Sequence, residues 1–304
     1  MRLLFVLPLV AQAQMPSADS IVHRYIAARG GLEKLHAIHT IIYRGEHHEG
    51  NDPPHHAAMG LMRPYYKLVG DPEHPSRTFA EGYDGSAWEF YGDPGVVLRT
   101  VGAASAAGRH ATTIDGPLVD YADRGWTIAV EGQEAIDGRP AYRLRVRMPD
   151  GFEQLEFIDT VTFLLVAERK TAPIHAYGAA VTSEEHDGDY RAVAGVLFPF
   201  SRREVQLGTS RVLSEVRWDS ITVNHPLDPA VFSPPEFART PPQAFLERLY
   251  AEREDTSAVR WSYFDFRRAY PDADIQSGLK FIAYQMLKMG DAPSATILRS
   301  LGGY

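Results

Sequence analysis

Residues 137–157 read Asp137-Gly138-Arg139-Pro140-Ala141-Tyr142-Arg143-Leu144-Arg145-Val146-Arg147-Met148-Pro149-Asp150-Gly151-Phe152-Glu153-Gln154-Leu155-Glu156-Phe157. Tyr142, Leu144 and Val146 alternate with Arg143, Arg145 and Arg147, the period of a strand with one face buried and one in water. An Asp-Gly pair stands at each end of that run, and Asp-Gly between strand-like segments is a hairpin signal. The same reading extends outward. Period-two segments recur around Ile41 and Tyr43, at Trp88 and Phe90, at Leu155 and Phe157, over 163–168, 181–190 and 196–207, and at Val212, Val216 and Trp218. Asp84-Gly85 and Asp187-Gly188 read as further turns. Strands in simple succession, without the crossover helices that parallel pairing requires, predict an antiparallel meander curled into a barrel, a half-barrel or a sandwich. The stretch 102–108, rich in Ala and Gly, and the segment 114–125 interrupt the meander as a loop with a short helix that can close over a cavity.

The 304 residues are 44% hydrophobic and 23% charged, which places the chain among folded globular proteins rather than disordered ones. Thirty-one Lys and Arg against 39 Asp and Glu give a net charge of −8, so no basic footprint for nucleic acid exists. The chain has no cysteine, which removes disulfides, thiolate catalysis, Cys-ligated metal and lipid attachment at an N-terminal Cys. Met1-Arg2, the apolar run from Leu3 to Val10 and Ala11-Gln12-Ala13 have the layout of an export signal over 1–13. Its eight apolar residues reach ~12 Å as a helix against a hydrocarbon core of ~30 Å, so no transmembrane anchor is expected. The mature protein is expected in the periplasm or secreted.

After that segment, Ile21, Val22, Tyr25 and Ile26 recur at helical spacing behind a cap at Ser17 or Asp19, and Gly30-Gly31 stops the helix. Prolines crowd 226–242 and mark a boundary. Beyond it the spacing is helical: Phe245, Leu246, Leu249 and Tyr250, then Trp261 and Phe264, then Ile275 to Leu287 ended by Gly290, with Asp291 placed to cap another helix. The expected organisation is a signal peptide at 1–13, a sheet domain at 14–237 and an all-helical tail at 238–304.

The segment Tyr25-Ile26-Ala27-Ala28-Arg29-Gly30-Gly31-Leu32-Glu33-Lys34-Leu35 ahead of a strand resembles the outer-membrane lipoprotein-sorting (LolA/LolB-like) family. So do Arg63-Pro64, Tyr83-Asp84-Gly85 before Ala87-Trp88, residues 132–138 before Ala141-Tyr142-Arg143-Leu144, residues 195–199, Val223-Asn224, and Phe232-Ser233-Pro234-Pro235. The likeness runs over roughly 18–236 and lies in the order of these motifs. It implies an α+β fold: an incomplete antiparallel β-barrel with helices in its concave face and an apolar cavity that accepts acyl chains. Lacking the cysteine of the family's lipid-anchored receptor, this chain is left a soluble role. The tail is similar to tetratricopeptide helix pairs at Leu279, Ile282, Ala283, Met286, Gly290 and Ala295. About three such repeats are needed to bury their faces, so the helices either pack on the barrel or belong to a longer array.

Glu46-His47-His48-Glu49 with His55-His56 is the densest polar cluster, yet adjacent residues on a strand point to opposite faces, and the cluster reads as a solvated hairpin tip. No nucleophile elbow, zinc-protease or phosphate-loop motif is present, so no enzymatic activity, metal or cofactor is assigned. Glu184-Glu185 reads as a solvated face, and Arg143, Arg145 and Arg147 as an outward one. The expected function is a non-enzymatic binding protein that shields a lipid or lipoprotein acyl chain, with Trp88, Phe90, Tyr142, Leu144, Val146, Phe157 and Trp218 as the ligand wall. Two alternatives stand beside it: a scaffold that docks a protein partner through the helical tail, and a metal-dependent hydrolase built on the His-rich loop.

Overall fold

The computed structural model describes residues 15–303 other than 51, 52, 101, 173–179, 210, 289 and 290. The 1–13 segment and Gly290, the expected end of a helix, lie outside the described residues. The chain opens with α1 (Ala18–Arg29), capped by the Ser17 hydroxyl, which accepts from the Ser20 amide at 3.3 Å. Gly30 ends it with φ +123°, and a Cβ there would stand 2.3 Å from the Gly195 carbonyl oxygen, so only glycine lets the helix end close on the sheet. A short helix, α2 (Leu32–His36), leads into the first strand.

Among the described residues, thirteen strands then form one antiparallel sheet. The first six are β1 (Thr40–Glu49), β2 (His55–Met62), β3 (Tyr66–Val69), β4 (Phe79–Tyr83), β5 (Ala87–Tyr91) and β6 (Val96–Arg99). Helix α3 (Gly102–His110) and a loop follow. The remaining strands are β7 (Thr127–Ile136), β8 (Arg139–Arg147), β9 (Glu153–Asp159), β10 (Leu165–Ala172), β11 (Val181–Val193), β12 (Val196–Gln206) and β13 (Val212–Val223). Their spatial order is β6-β5-β4-β3-β2-β1-β13-β12-β11-β10-β9-β8-β7. The edges β6 and β7 do not pair, so the barrel is incomplete, and the fold is α+β as the meander predicts. Because α3 and its loop connect β6 to β7, they bridge the two free edges.

The inner face carries α1. Ile21, Val22 and Tyr25 pack on Tyr142, Leu144, Val146, Ile158, Phe198 and Trp218 in the largest apolar cluster. On the outer face, the 3-10 turn Pro229–Phe232 lays Phe232 over Leu68, Trp88 and Phe90, and the Trp88 indole N–H donates to the Phe232 carbonyl at 2.9 Å. Gly82 makes room for this: a Cβ there would meet the Trp88 ring at 2.6 Å. The proline-rich stretch thus covers the sheet as well as leaving it.

Four helices close the chain: α4 (Pro241–Ala251), α5 (Thr256–Ala269), α6 (Gln276–Lys288) and α7 (Ala292–Gly302). Thr240 and Gln243 form a capping box on α4, and Asp255 and Asp291 cap α5 and α7. Phe245, Leu246, Leu249 and Tyr250 share one core with Val96 and Leu98, so the helical segment packs on β6 rather than standing apart.

Two expectations are corrected here. Asp187-Gly188 is not a turn: both residues lie within β11, opposite Arg202 and Ser201, and the chain reverses at Ala194-Gly195, where both φ angles are positive (50° and 77°). The segment 163–168 becomes strand only from Leu165, because Asp159 accepts from the backbone of Val161 and Thr162 and holds a turn before it.

Candidate functional site

A cavity of about 300 Å³ opens on the inner face, between the sheet, α1 and the α3 segment. The register explains its lining, since directly opposed residues of an antiparallel pair share a face. From β1 to β5 the inner face presents Tyr43, Met59, Leu61, Lys67, Val69, Tyr83 and Ala87 in successive opposition. From β9 to β12 it presents Gln154, Glu168, Lys170, Glu185, Asp187, Arg202 and Glu204. Gly108, Ile114 and Pro117 of the bridging segment roof it, with Met148, Phe152 and Leu165. The result is a wall that is largely apolar beneath the roof, where Lys67 and Glu81 are its charged members, and charged across β10 to β12.

The charged part is knitted together. Arg202 donates to Asp187 at 3.0 Å and lies 3.2 Å from Glu185. Lys170 pairs with Glu168, which also accepts from Gln154 at 2.8 Å. Ser183 donates to Glu204 at 2.5 Å. Arg29 of α1 reaches the same side, giving its protons to the Tyr25 hydroxyl at 2.7 Å and the Leu197 carbonyl at 2.8 Å.

Withdrawal from water sets the proton affinities. Burial pushes the Asp187 carboxyl up to about 6, with Glu185 and Glu168 adding to the Arg202-opposed shift. Burial likewise raises Glu204 and raises Glu156 far, the latter helped by Glu168. Burial alone would raise Glu185 too, but Arg202, Lys170 and Lys67 together hold it below the usual carboxylate range. Lys67 falls below an ordinary lysine through burial, against the pull of Glu81. Lys170 is held above one by Glu168 and Glu185, against its own burial.

None of the seven residues expected to form the ligand wall lines this cavity. Tyr142, Leu144, Val146 and Trp218 are on the inner face, packed in the core with α1. Trp88, Phe90 and Phe157 are on the outer face, which corrects the inward placement of Trp88 and Phe157. Phe157 stands opposite Arg143 and Ala167, under the Arg169 guanidinium at 4.9 Å, while Ile158 is the residue opposite Tyr142. Trp88 and Phe90 lie under Phe232.

Glu184 and Glu185 are not a solvated pair. Glu184 is 9% exposed on the outer face and bound by Arg169 and His186, while Glu185 turns into the cavity. Arg143, Arg145 and Arg147 lie opposite the core, in ion pairs with Glu131, Glu134 and Glu153. In the histidine cluster, His48 contacts Glu215 at 2.9 Å and His47 contacts Ser214 at 3.2 Å. Among the described residues, no group of three or more His, Asp or Glu is arranged to hold a metal ion. No described helix is long and apolar enough to cross a membrane.

No family model matches the sequence, and no curated protein matches it. Solved structures similar to this chain include a DUF1329 family protein from Desulfovibrio piger ATCC 29098, at 12% identity over 71% of this chain and 97% of the other, TM-score 0.47. They also include a putative outer membrane lipoprotein-sorting protein domain from Vibrio parahaemolyticus, at 11% identity over 69% and 95%, TM-score 0.47. A third is a LolA superfamily protein from Nitrosomonas europaea, at 11% identity over 72% and 99%, TM-score 0.47. At that distance the similarity is one of backbone, and the architecture rests on the sheet described above.

Proposed function

We propose that this chain is an exported, non-enzymatic binding protein that holds an amphiphile, an acyl chain with a polar end, in the inner-face cavity of its half-barrel. The observation that carries the reading is the two-part wall: Met59, Leu61, Val69, Met148, Phe152 and Leu165 offer apolar surface, and the β10 to β12 floor offers paired charges. The volume of about 300 Å³ sits at the lower end of small-molecule sites, which run from ~300 to ~1,000 Å³. Burial of methylenes at ~0.8 kcal/mol each supplies the driving force, and a charged floor fixes which end of the ligand goes in. Export rests on the layout of Met1 to Ala13, and a periplasmic or secreted location goes with it. Native mass spectrometry of the protein recovered from the periplasm tests the reading: a co-purifying amphiphile of defined mass is expected, and a chain that stays empty and takes up no added amphiphile overturns it.

A second reading, capture of a protein partner through the helical segment, is favoured by Trp261, Phe264 and Tyr284, which stand 60%, 58% and 55% exposed on α5 and α6. Trp261→Ser with Phe264→Ser tests it without disturbing the core, since neither side chain is buried. Loss of a partner with ligand binding intact would separate the two roles.

A further inference from the structure

We propose that the polar end of the ligand is an anion, a carboxylate or phosphate headgroup, received by three hydrogen-bond donors that line the cavity without acceptors: Arg29 of α1, Tyr43 of β1 and Lys67 of β3. The inference rests on the amphiphile-binding reading and adds the charge of the headgroup. Antiparallel pairing places two of the three. Tyr43 opposes Met59 and Lys67 opposes Leu61, two residues apart on β2, so both stand on the inner face with one strand between them. At ~4.8 Å per strand their backbones are about 10 Å apart across the sheet, a gap that two long side chains and one small headgroup fill. Arg29 enters from the end of α1 on the β12 side, where the Leu197 carbonyl holds it.

Matching donors to acceptors shows what the fold leaves over. Each acid of the β10 to β12 floor already has a donor. Glu168 has Lys170 and Gln154, Glu185 and Asp187 share Arg202, and Glu204 has the Ser183 hydroxyl. The donors on the other side are not served in return. Arg29 is 7% exposed, and it spends Nε on Leu197 and Nη1 on the Tyr25 hydroxyl, both neutral acceptors. Its Nη2 donates to nothing among the described residues, and no carboxylate there pairs with it. The Tyr43 ring rests on Trp218 at 5.1 Å, and its hydroxyl has no hydrogen-bond partner among the described residues. Lys67 makes no hydrogen bond and no close ion pair there either; Glu81 and Glu185 act on it only from a distance. Buried donors are nearly always satisfied, and a group of exceptions around one cavity marks where a bound molecule completes them.

An anion supplies what is missing. A carboxylate brings two oxygens able to accept about four hydrogen bonds, and a guanidinium or ammonium donating to it makes the stronger, charge-assisted kind. Burial holds the Lys67 ammonium below an ordinary lysine, as expected of a cation with no counter-ion seated on it, and burial keeps the Tyr43 hydroxyl protonated as a donor. An ammonium headgroup would bring more donors to a place that lacks acceptors. It would also compete with Lys67 for the pull of Glu81.

The test uses the mature protein at neutral pH and four twelve-carbon probes below their micellar concentrations: laurate, dodecyl phosphate, dodecylamine and dodecyl maltoside. Binding is followed by calorimetry for wild type, Tyr43→Phe, Lys67→Met and the double variant, with thermal melts to confirm folding; Tyr43→Phe removes one oxygen and keeps the ring on Trp218. At least one of the two anions is expected to bind at least about tenfold tighter than dodecylamine. The stronger of the two identifies the headgroup as carboxylate or phosphate. Each single variant is expected to weaken anion binding several-fold, and the double variant to close most of the gap to dodecylamine. The chain carries a net charge of −8, so adsorption to its exterior would favour dodecylamine and cannot imitate this preference. Dodecylamine binding as tightly as both anions overturns the proposal and leaves the amphiphile-binding reading standing, as does an anion preference that survives in the folded double variant. Failure of all four probes to bind overturns that reading and the proposal with it.

Discussion

Glu168 of β10 and Glu185 of β11 face each other directly across the ladder of the sheet, and the Lys170 ammonium, one turn of the pleat away, is held by both. Two opposed carboxylates on one face repel, so Lys170 acts as the clamp of the floor. Lys170→Met removes the clamp and leaves the repulsion, and is expected to lower unfolding stability by about 3 kcal/mol, the range for breaking a buried pair from one side. Glu168→Gln added to Lys170→Met is expected to recover part of the loss. Urea unfolding of the two variants measures both, and additive losses would show that Lys170 is not the clamp.

Asp187 gives the fold a pH dependence with a definite sign. Its carboxyl sits at about 6 in the folded chain, above the unfolded value near 3.9. A raised acid is stabilising while protonated, so its contribution is complete below about pH 4 and is lost as the pH rises through 6. The groups that set this are Arg202 on β12, Glu185 on the same strand, Glu168 on β10 and Arg29 on α1, with Tyr25, Tyr43 and Tyr190 nearby. Asp187→Asn cannot ionise and leaves Arg202 with Glu185. Relative to wild type, its denaturant midpoint is expected to improve steadily from pH 4 to pH 7; a difference independent of pH would contradict the assignment.

Arg63 and Asp115 make a two-pronged pair, at 2.6 and 2.7 Å, and Arg63 also donates to the carbonyls of Ile38 and Leu35 at 2.7 and 3.1 Å. Asp115 is 1% exposed, so this one guanidinium ties the roof of the cavity to the end of α2. Arg63→Ala is expected to cost about 3 kcal/mol because it leaves the buried Asp115 carboxylate with only Arg124, 3.8 Å away, as a cation. Arg63→Lys is expected to recover less than half of that, lacking the fork. Amide hydrogen exchange over 111–126 should rise in both; protection equal to wild type would show that the roof is held by other contacts.

Leu144 is fully buried among α1 side chains and does not touch the cavity. Leu144→Ala is therefore expected to lose about 2–5 kcal/mol, and Leu144→Arg to destabilise by overpacking a filled core, even though Glu156 stands opposite it on β9 as a partner for the charge. A Leu144→Arg protein that folds and fails only to bind an amphiphile would move the ligand site to this face of β8.

The alternation over 139–147 was legible because β8 has an unmixed pattern: aliphatics on the α1 side, arginines on the other. The same rule misleads on β9. Leu155 and Phe157 form its apolar face and turn outward under Arg169, while Gln154 and Glu156 turn inward. Period two says which residues share a face, and only pairing register says which face is the inner one. The site was therefore hidden in plain sequence. Glu156, Glu168 with Lys170, Glu185 with Asp187, and Arg202 with Glu204 are charged positions spaced two apart on successive strands. Read as a ladder, they would have revealed a charged floor. Interleaved charges on the outer face, such as Arg169, Glu184 and Arg203, masked that signal.

The claim that an amphiphile occupies the inner-face cavity is tested most directly by photo-crosslinking. A twelve-carbon fatty acid with a diazirine near its methyl end is bound to the exported protein, irradiated, and its attachment sites are mapped by peptide mass spectrometry. Labels are expected on Met59, Met148, Phe152 and Leu165, which line the apolar part of the wall, and an excess of unlabelled laurate should remove them. Labels confined to the exposed Trp261, Phe264 and Tyr284, with the cavity residues unmarked, would contradict it.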